Sequence, residues 1–308
     1  MSAMWRTFLL CLSIGLSGSF LVSSDVAHAS DLEQHLRDEY QGKTLVLRGF
    51  YSDDKLHFDA TGVPTGKPRH GDWTSDGFVA VSDIQISSRR LRIEAQREIA
   101  VWTEANKSFQ LRQLVVAGFP RKGPILLKIE ADMLSENPSA TEVDEAIAKI
   151  FLTAKDTFAD QIPAYWKPCI LAEFGGKEGN CHFSPEMLNI PGLSQSSDYL
   201  ASSTASQEPK GMFIKRLEKG VTPPVALQKP DPPFTERARQ ARIQGSLLLS
   251  LVVDKEGRPE RVQILRPLGC GLDDIAVQTV TGWRFAPARK DGENVPVEIA
   301  VEIDFHLY

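Results

Sequence analysis

Residues 295–308 read V-P-V-E-I-A-V-E-I-D-F-H-L-Y, and every odd position from Val295 to Leu307 is apolar. A period of two over this length predicts a strand, because successive side chains of an extended backbone point to opposite faces. One face carries Val295, Val297, Ile299, Val301, Ile303, Phe305 and Leu307, and the other carries Pro296, Glu298, Ala300, Glu302, Asp304 and His306. The segment is expected to be a half-buried strand that ends the chain. Proline near its start and acids along its outer face suit a sheet edge, whose unpaired N–H and C=O groups can accept a further strand.

Working backwards, residues 234–241 predict a short helix, 245–253 a strand and 261–265 a second strand, joined by D-K-E-G-R with Gly257 where a hairpin needs positive φ. Between them and the last strand, Leu272, Ala276, Val280 and Trp283 recur on one helical face, with Asp273 and Asp274 in the first turn where carboxylates favour the helix dipole. Two helices on a three-stranded antiparallel sheet is the economical packing. Upstream, Pro223, Pro224, Pro230, Pro232 and Pro233 predict extended polyproline-like backbone over 221–233.

The N-terminal half reads differently. Residues 31–40 predict a short helix; 44–50, 55–60, 78–86, 91–102, 109–117 and 125–131 then alternate, separated by Gly, Asp, Asn, Ser or Pro. Short strands so spaced predict an antiparallel sheet folded as a barrel or sandwich. Ser139 and Glu142 fit a capping box, and Val143, Ile147, Ile150, Phe151, Ala154 and Phe158 predict a helix over 140–160 that lies on the sheet as a lid and stops at Pro163. Arg89, Arg90, Arg92 and Arg97 give this sheet a basic stretch, read as a solvated face. The whole is an α+β protein: a signal peptide at 1–29, a β-rich domain at 30–192 containing that helix and a cysteine loop, a polar linker at 193–220, and a small domain at 221–308.

The chain has 308 residues, 42% hydrophobic and 24% charged, with a formal net charge of −5. This is globular composition, and the acidic balance argues against nucleic acid as a partner, since no basic surface is concentrated enough to displace counterions from phosphates. Arg6, the apolar run 8–22 and Ala27-His28-Ala29 have the layout of a secretory signal, with cleavage expected between Ala29 and Ser30. The apolar run is short of the roughly 20 residues a spanning helix needs. A periplasmic mature chain is expected, the alternative being a retained helix that anchors it in the inner membrane facing the periplasm. In such a compartment Cys169 and Cys181, which bracket F-G-G-K-E-G-N, are expected to form a disulfide, and Cys270 is the odd thiol. A metal site of Cys169, Cys181 and His182 lacks a fourth ligand, so none is expected.

Several landmarks of the last quarter occur together and in order: P-x-x-P-F-T-E-R-A-R at 230–239, Q-G-S-L-L-L-S-L-V-V-D at 244–254, Gly257, G-L-D-D at 271–274, and W-R-F-A-P-A at 283–288. With the alternating end, they resemble the TonB C-terminal domain family of energy transducers. The resemblance implies a periplasmic binding module that takes up an extended peptide of an outer-membrane transporter as a strand beside the last strand, in support of transmembrane transport. Carried onto this chain, the partner-binding residues are Val297, Glu298, Ile299, Ala300, Val301, Glu302, Ile303, Asp304 and Phe305. Three departures stand out: the apolar run 8–22 has no histidine where an energised member keeps one and no long Pro-Lys or Pro-Glu spacer is present, which argue against coupling to an inner-membrane motor, and Phe234-Thr235 stands where Tyr-Pro is usual, which weakens the detailed carry-over there. Dimerisation or tethering through the module, giving a homodimer, stays open.

Chemistry-bearing patterns are sparse. The chain contains no nucleophile elbow, no H-E-x-x-H and no complete phosphate loop, Gly175-Gly176-Lys177 lacking the glycine spacing and the following Ser or Thr. His35, His57, His70, His182 and His306 are scattered. His70, in P-R-H-G-D-W-T at 68–74, is the least bland of them because Asp72 is near, though a surface histidine is the simpler reading. The expectation is a non-enzymatic envelope protein with no cofactor.

Overall fold

The computed structural model describes residues 24–116, 123–170, 181–193 and 220–307, with residues 24–29 and Val116 described by backbone alone. The first half runs α1 (Ser24–Tyr40), β1 (Thr44–Val46), β2 (Lys55–Phe58), α2 (Trp73–Asp76), β3 (Phe78–Ser87), β4 (Arg90–Thr103), β5 (Ser108–Gln113), β6 (Val115–Val116), β7 (Gly123–Pro124), β8 (Leu126–Asp132), α3 (Ala140–Ile150), α4 (Phe158–Gln161), α5 (Lys167–Ile170), β9 (His182–Phe183) and α6 (Pro185–Leu188). The second half adds β10 (Val221–Thr222), β11 (Val225–Gln228), α7 (Glu236–Gln240), β12 (Gly245–Val253), β13 (Pro259–Arg266), α8 (Leu272–Thr281), β14 (Arg284–Ala286), β15 (Ala288–Lys290), β16 (Glu293–Val295) and β17 (Val297–Phe305).

The expected α+β class is what forms. The N-terminal sheet has seven strands built around β4, which pairs with β3 along one side and with β8 and then β5 along the other. The pairing is antiparallel except for β2 on β8 and β9 on β5, which are parallel. Helices cover this sheet where a barrel or sandwich would have a second sheet. Leu32 and Leu36 of α1 and Val143, Ile147 and Ile150 of α3 share a core with Leu91, Ile93 and Ala95 of β4 and with Leu127, Ile129 and Ala131 of β8. Alternate residues of each strand feed that core, as the period of two requires.

The phase of that alternation also settles Arg97. It continues the inward series Leu91, Ile93, Ala95 and is fully buried, so the basic stretch is not a uniform solvated face. Its guanidinium donates to the carbonyls of Tyr51, Asp53 and Asp76. Arg90 and Arg92 do face outward, paired with Glu130 and Asp132 across the ladder.

The helix expected over 140–160 ends at Ile150, with Ser139 capping its start by accepting the Glu142 N–H. Asp156 accounts for the early stop: its Oδ2 accepts the Thr153 N–H at 2.7 Å, the Thr153 hydroxyl at 2.8 Å and Arg48 Nη2 at 2.6 Å, drawing the chain into a turn. Phe151 is already extended and bridges to Leu47, and Phe158 belongs to the separate α4. The proline-rich lead-in is likewise more ordered than polyproline backbone. Val221 and Thr222 pair with Lys290 and Arg289, and β11 pairs with β14, so the segment is stitched to the far side of the module.

A second core gathers on Trp73, whose ring meets Phe78, Phe109, Phe158, Trp166 and Phe183 with centroids 4.9–6.2 Å apart. It continues without a break into Leu247, Leu249, Leu251, Val253, Ile264, Leu272, Ala276 and Val280 of the C-terminal module. That module is the expected one: α7 and α8 with a sheet of order β13-β12-β17. Gly257 makes the hairpin turn at φ +80°, and a Cβ there would lie 1.8 Å from the Phe285 carbonyl oxygen.

Candidate functional site

β17 pairs with β12 in unbroken antiparallel register from Val297↔Val253 to Phe305↔Gly245. Pro296 separates it from β16, so the long alternating segment is two strands, the first belonging to the small β10-β15-β16 sheet. Val297, Ile303 and Phe305 are buried, while Ile299 and Val301 are half-exposed. Phe234 of the lead-in packs edge-on against Phe305 at 5.3 Å. Among the described residues no strand pairs with the outer side of β17. On the other side of the sheet, residues 164–170, which include α5, pack against β13. Among the described residues the last strand of the module is thus an open edge.

The even-numbered face of β17 is acidic, with two of its carboxylates engaged across the sheet. Glu298 Oε1 accepts the buried Ser250 hydroxyl at 2.7 Å. Glu302 Oε1 accepts from Ser246 at 2.8 Å and from Arg266 Nη2 at 2.5 Å, which reaches over from β13. These bonds hold the Glu302 carboxyl below the usual carboxylate range. Ala300 and Asp304 are exposed between and beyond them. Trp283 and Phe285 are buried, and the Trp283 indole N–H donates to the Pro230 carbonyl at 3.0 Å.

The other conspicuous chemistry lies where the module meets the N-terminal sheet. Asp76, at the end of α2, pairs with Arg237 Nη2 at 2.5 Å and lies 3.6 Å from Arg97 Nη1. Arg237 also donates to the Ser52 carbonyl at 3.1 Å. Past the start of β3, the 268–270 loop takes over the same side of β4: Trp102 N–H donates to Leu268 O and Cys270 N–H to Ala100 O. Gly269, at φ +93°, permits this approach, because a Cβ there would stand 2.4 Å from the Ala100 oxygen. The Gly271 N–H donates to Thr74 Oγ1 at 2.8 Å.

The G-L-D-D acids complete the junction. Asp273 is fully buried and accepts the Leu268 and Gly269 N–H groups; burial nonetheless pushes its carboxyl up to about 7. Asp274 accepts from the Tyr165 hydroxyl and the Trp166 indole, and burial, then the neighbouring Asp72, raises its carboxyl too. Burial likewise raises Asp76, against the pull of Arg237. Unpaired in isolation, such groups would be costly inside a protein; here Asp76 and Asp274 meet partners across the junction and Asp273 meets two backbone N–H groups of the neighbouring loop.

In the sequence Asp273 and Asp274 carry only a helix-dipole signal, and Arg237 sits in a motif that gives it no role. The P-R-H-G-D-W-T loop does carry one, through residues other than His70. His70 is exposed, bonded to the Gly49 carbonyl at 2.9 Å and stacked near Tyr51, whereas Asp72 caps α2, Trp73 centres the core and Thr74 holds Gly271. Cys169 and Cys181 are bonded, with Cα atoms 5.0 Å apart. Cys270 is buried and free, its thiol raised by burial. α1 runs through Ala29 and Ser30. The linker expected at 193–220 lies, but for its two ends, outside the described residues, as do the apolar run 8–22 and the loop between the cysteines. No described helix is long and apolar enough to cross a membrane.

A small α+β module ending in an open strand, carried on a larger mixed-sheet domain, is the class this geometry defines. Residues 230–307 match the family model described as Gram-negative bacterial TonB protein C-terminal, so the last quarter of the chain is similar to that domain. Over 82 residues the chain is 33% identical to Protein tonB2 of Pseudomonas aeruginosa, a match covering 26% of this chain and 30% of that protein. The chain therefore spans less than a third of the length of this curated relative. A solution NMR structure of the Pseudomonas aeruginosa TonB CTD aligns at 20% identity and a TM-score of 0.25, covering 32% of this chain and 95% of that one.

Proposed function

We propose that this protein is a non-enzymatic, TonB-family envelope protein whose C-terminal module binds an extended peptide of an outer-membrane transporter by strand addition along Val297–Phe305. The observation that carries this reading is the long margin of β17, which is unpaired among the described residues, while residues 164–170 of the other domain lie against β13. Main-chain hydrogen bonds along the open edge supply affinity, and the alternate side chains supply selectivity. The N-terminal domain, sharing a core with the module, acts as a stiff handle for it. The test is titration of the full chain with extended transporter-derived peptides, followed by amide chemical shifts. Shifts concentrated along Val297–Phe305 support the reading; shifts elsewhere, or none, oppose it.

A second reading concerns the leader. α1 is continuous through Ala29 and Ser30, so the expected cleavage site sits within a helix, which favours an N-terminal segment retained as an inner-membrane anchor. N-terminal sequencing of the exported protein separates the two: a chain starting at Ser30 is the free periplasmic form, and one retaining residues 1–29 is the anchored form.

A further inference from the structure

The chemistry of the open edge goes beyond a generic strand acceptor. Glu298, Glu302 and Asp304 all lie on the even-numbered face of β17, with the small, exposed Ala300 between the two glutamates. On the odd-numbered face Ile299 and Val301 are half-exposed beside the same edge. A strand added there would set its own alternate side chains directly opposite these two rows, within the reach at which cross-strand pairs interact. Arg266 reaches the acidic row from β13, two strands away, and it is already bonded to Glu302. The serines beneath, Ser246 and Ser250, donate to the glutamates and fix them without neutralising them.

We propose, resting on the strand-addition reading, that the cognate segment is a basic-apolar alternating peptide, with Lys or Arg facing Glu298, Glu302 and Asp304 and Val, Ile or Leu facing Ile299 and Val301. Charge complementarity is what commits the edge to this occupant. It also disfavours a second copy of the chain, because pairing β17 with β17 would bring the acidic rows together, and like charges opposite one another destabilise a ladder. The acids so arranged protect the free edge from self-association while leaving it open to a cation-bearing strand.

The probes are synthetic peptides of about the nine-residue length of β17, one alternating Val with Lys and one alternating Val with Glu, added to the full chain at low and at high salt. The Val-Lys peptide is expected to bind about ten-fold more tightly at low salt, as opposite-charge pairs at Glu298 and Asp304 and a weaker one at the Arg266-paired Glu302 imply, with the gap narrowing as salt screens them. In an E298Q/E302Q/D304N variant the two peptides should bind alike, and the unchanged Val-Lys affinity of a variant at the exposed, distant Glu136 provides the control. Equal affinities for the unaltered chain, or preference for Val-Glu, would overturn the charge assignment while leaving strand addition standing. Binding of neither peptide would overturn strand addition and this inference together, and a sedimenting dimer whose formation blocks the peptide would overturn it in favour of self-pairing.

Discussion

Arg237 Nη2 lies 2.5 Å from Asp76 Oδ1, joining an arginine of the TonB-type module to a carboxylate at the threshold of the N-terminal sheet. Both side chains are largely withdrawn from water, and Arg97 stands 3.6 Å from the same oxygen, so the three charges form one buried group. Removing Arg237 strips Asp76 of its short ion pair and leaves it only Arg97, at 3.6 Å. Arg237→Ala is expected to cost about 3 kcal/mol in urea unfolding of the full chain. The control is Arg239→Ala, where the exposed i,i+3 contact with Glu236 predicts a change within about 0.5 kcal/mol. Equal effects at the two positions would show that the junction contributes nothing special.

Burial raises Asp273 to about 7, and Asp274 and Asp76 are raised with it, from an ordinary value of 3.8. Between about pH 4 and about pH 7 for Asp273, and up to about pH 8 for Asp274, the folded chain therefore holds protons that the unfolded chain has released, and stability falls as pH rises through that window. Glu302 acts in the opposite sense, its lowered value contributing stability that is lost only as pH falls below the ordinary 4.5. Thermal unfolding should thus give a higher Tm near pH 6 than near pH 8. Asp274→Asn, which keeps an acceptor for Tyr165 and removes the titration, should reduce the slope.

Gly269 is the closest approach of the module to β4, with φ +93° and room for no Cβ beside the Ala100 oxygen. Gly269→Ala is expected to cost about 1–3 kcal/mol of backbone strain. Hydrogen exchange localises the damage: the Trp102 and Cys270 amides, which bond across the junction, should exchange faster, while the β12–β17 ladder should keep its protection.

The Cys169–Cys181 bond closes a 12-residue separation, and both cysteines are buried within the shared core. Replacing both by serine should lower stability by about 3 kcal/mol in the absence of reductant. Adding reductant to the unaltered chain should reproduce the loss without further change in the double variant.

Much of this was readable from residues alone. Strand periodicity located β3, β4, β8 and β12 to within a residue or two, Gly257 marked its hairpin, and the ordered landmarks from Pro230 onward pointed to the module. The same periodicity, followed through Leu91, Ile93 and Ala95, puts Arg97 inside, a step that its charge obscures. The junction itself was not legible. Asp76, Arg237, Tyr165 and Asp274 are each ordinary polar residues in their local context, and only long-range packing makes partners of residues separated by 109 or more positions. The helix stop at Ile150 was hidden for a related reason, since the Asp156 turn is fastened by Arg48 from a distant loop. The open side of β17 was suggested by its alternation and acids, whereas the packing of residues 164–170 against β13 depends on the fold of the other domain.

If the outer margin of β17 receives a strand, amide hydrogen exchange of the full chain with and without a saturating basic-apolar peptide will register it. Half of the β17 amides, those pointing away from β12, should exchange rapidly in the free chain and become protected when the peptide is bound, because each gains a backbone carbonyl partner. Unchanged exchange along Val297–Phe305 in a demonstrably bound complex would rule out strand addition at this edge.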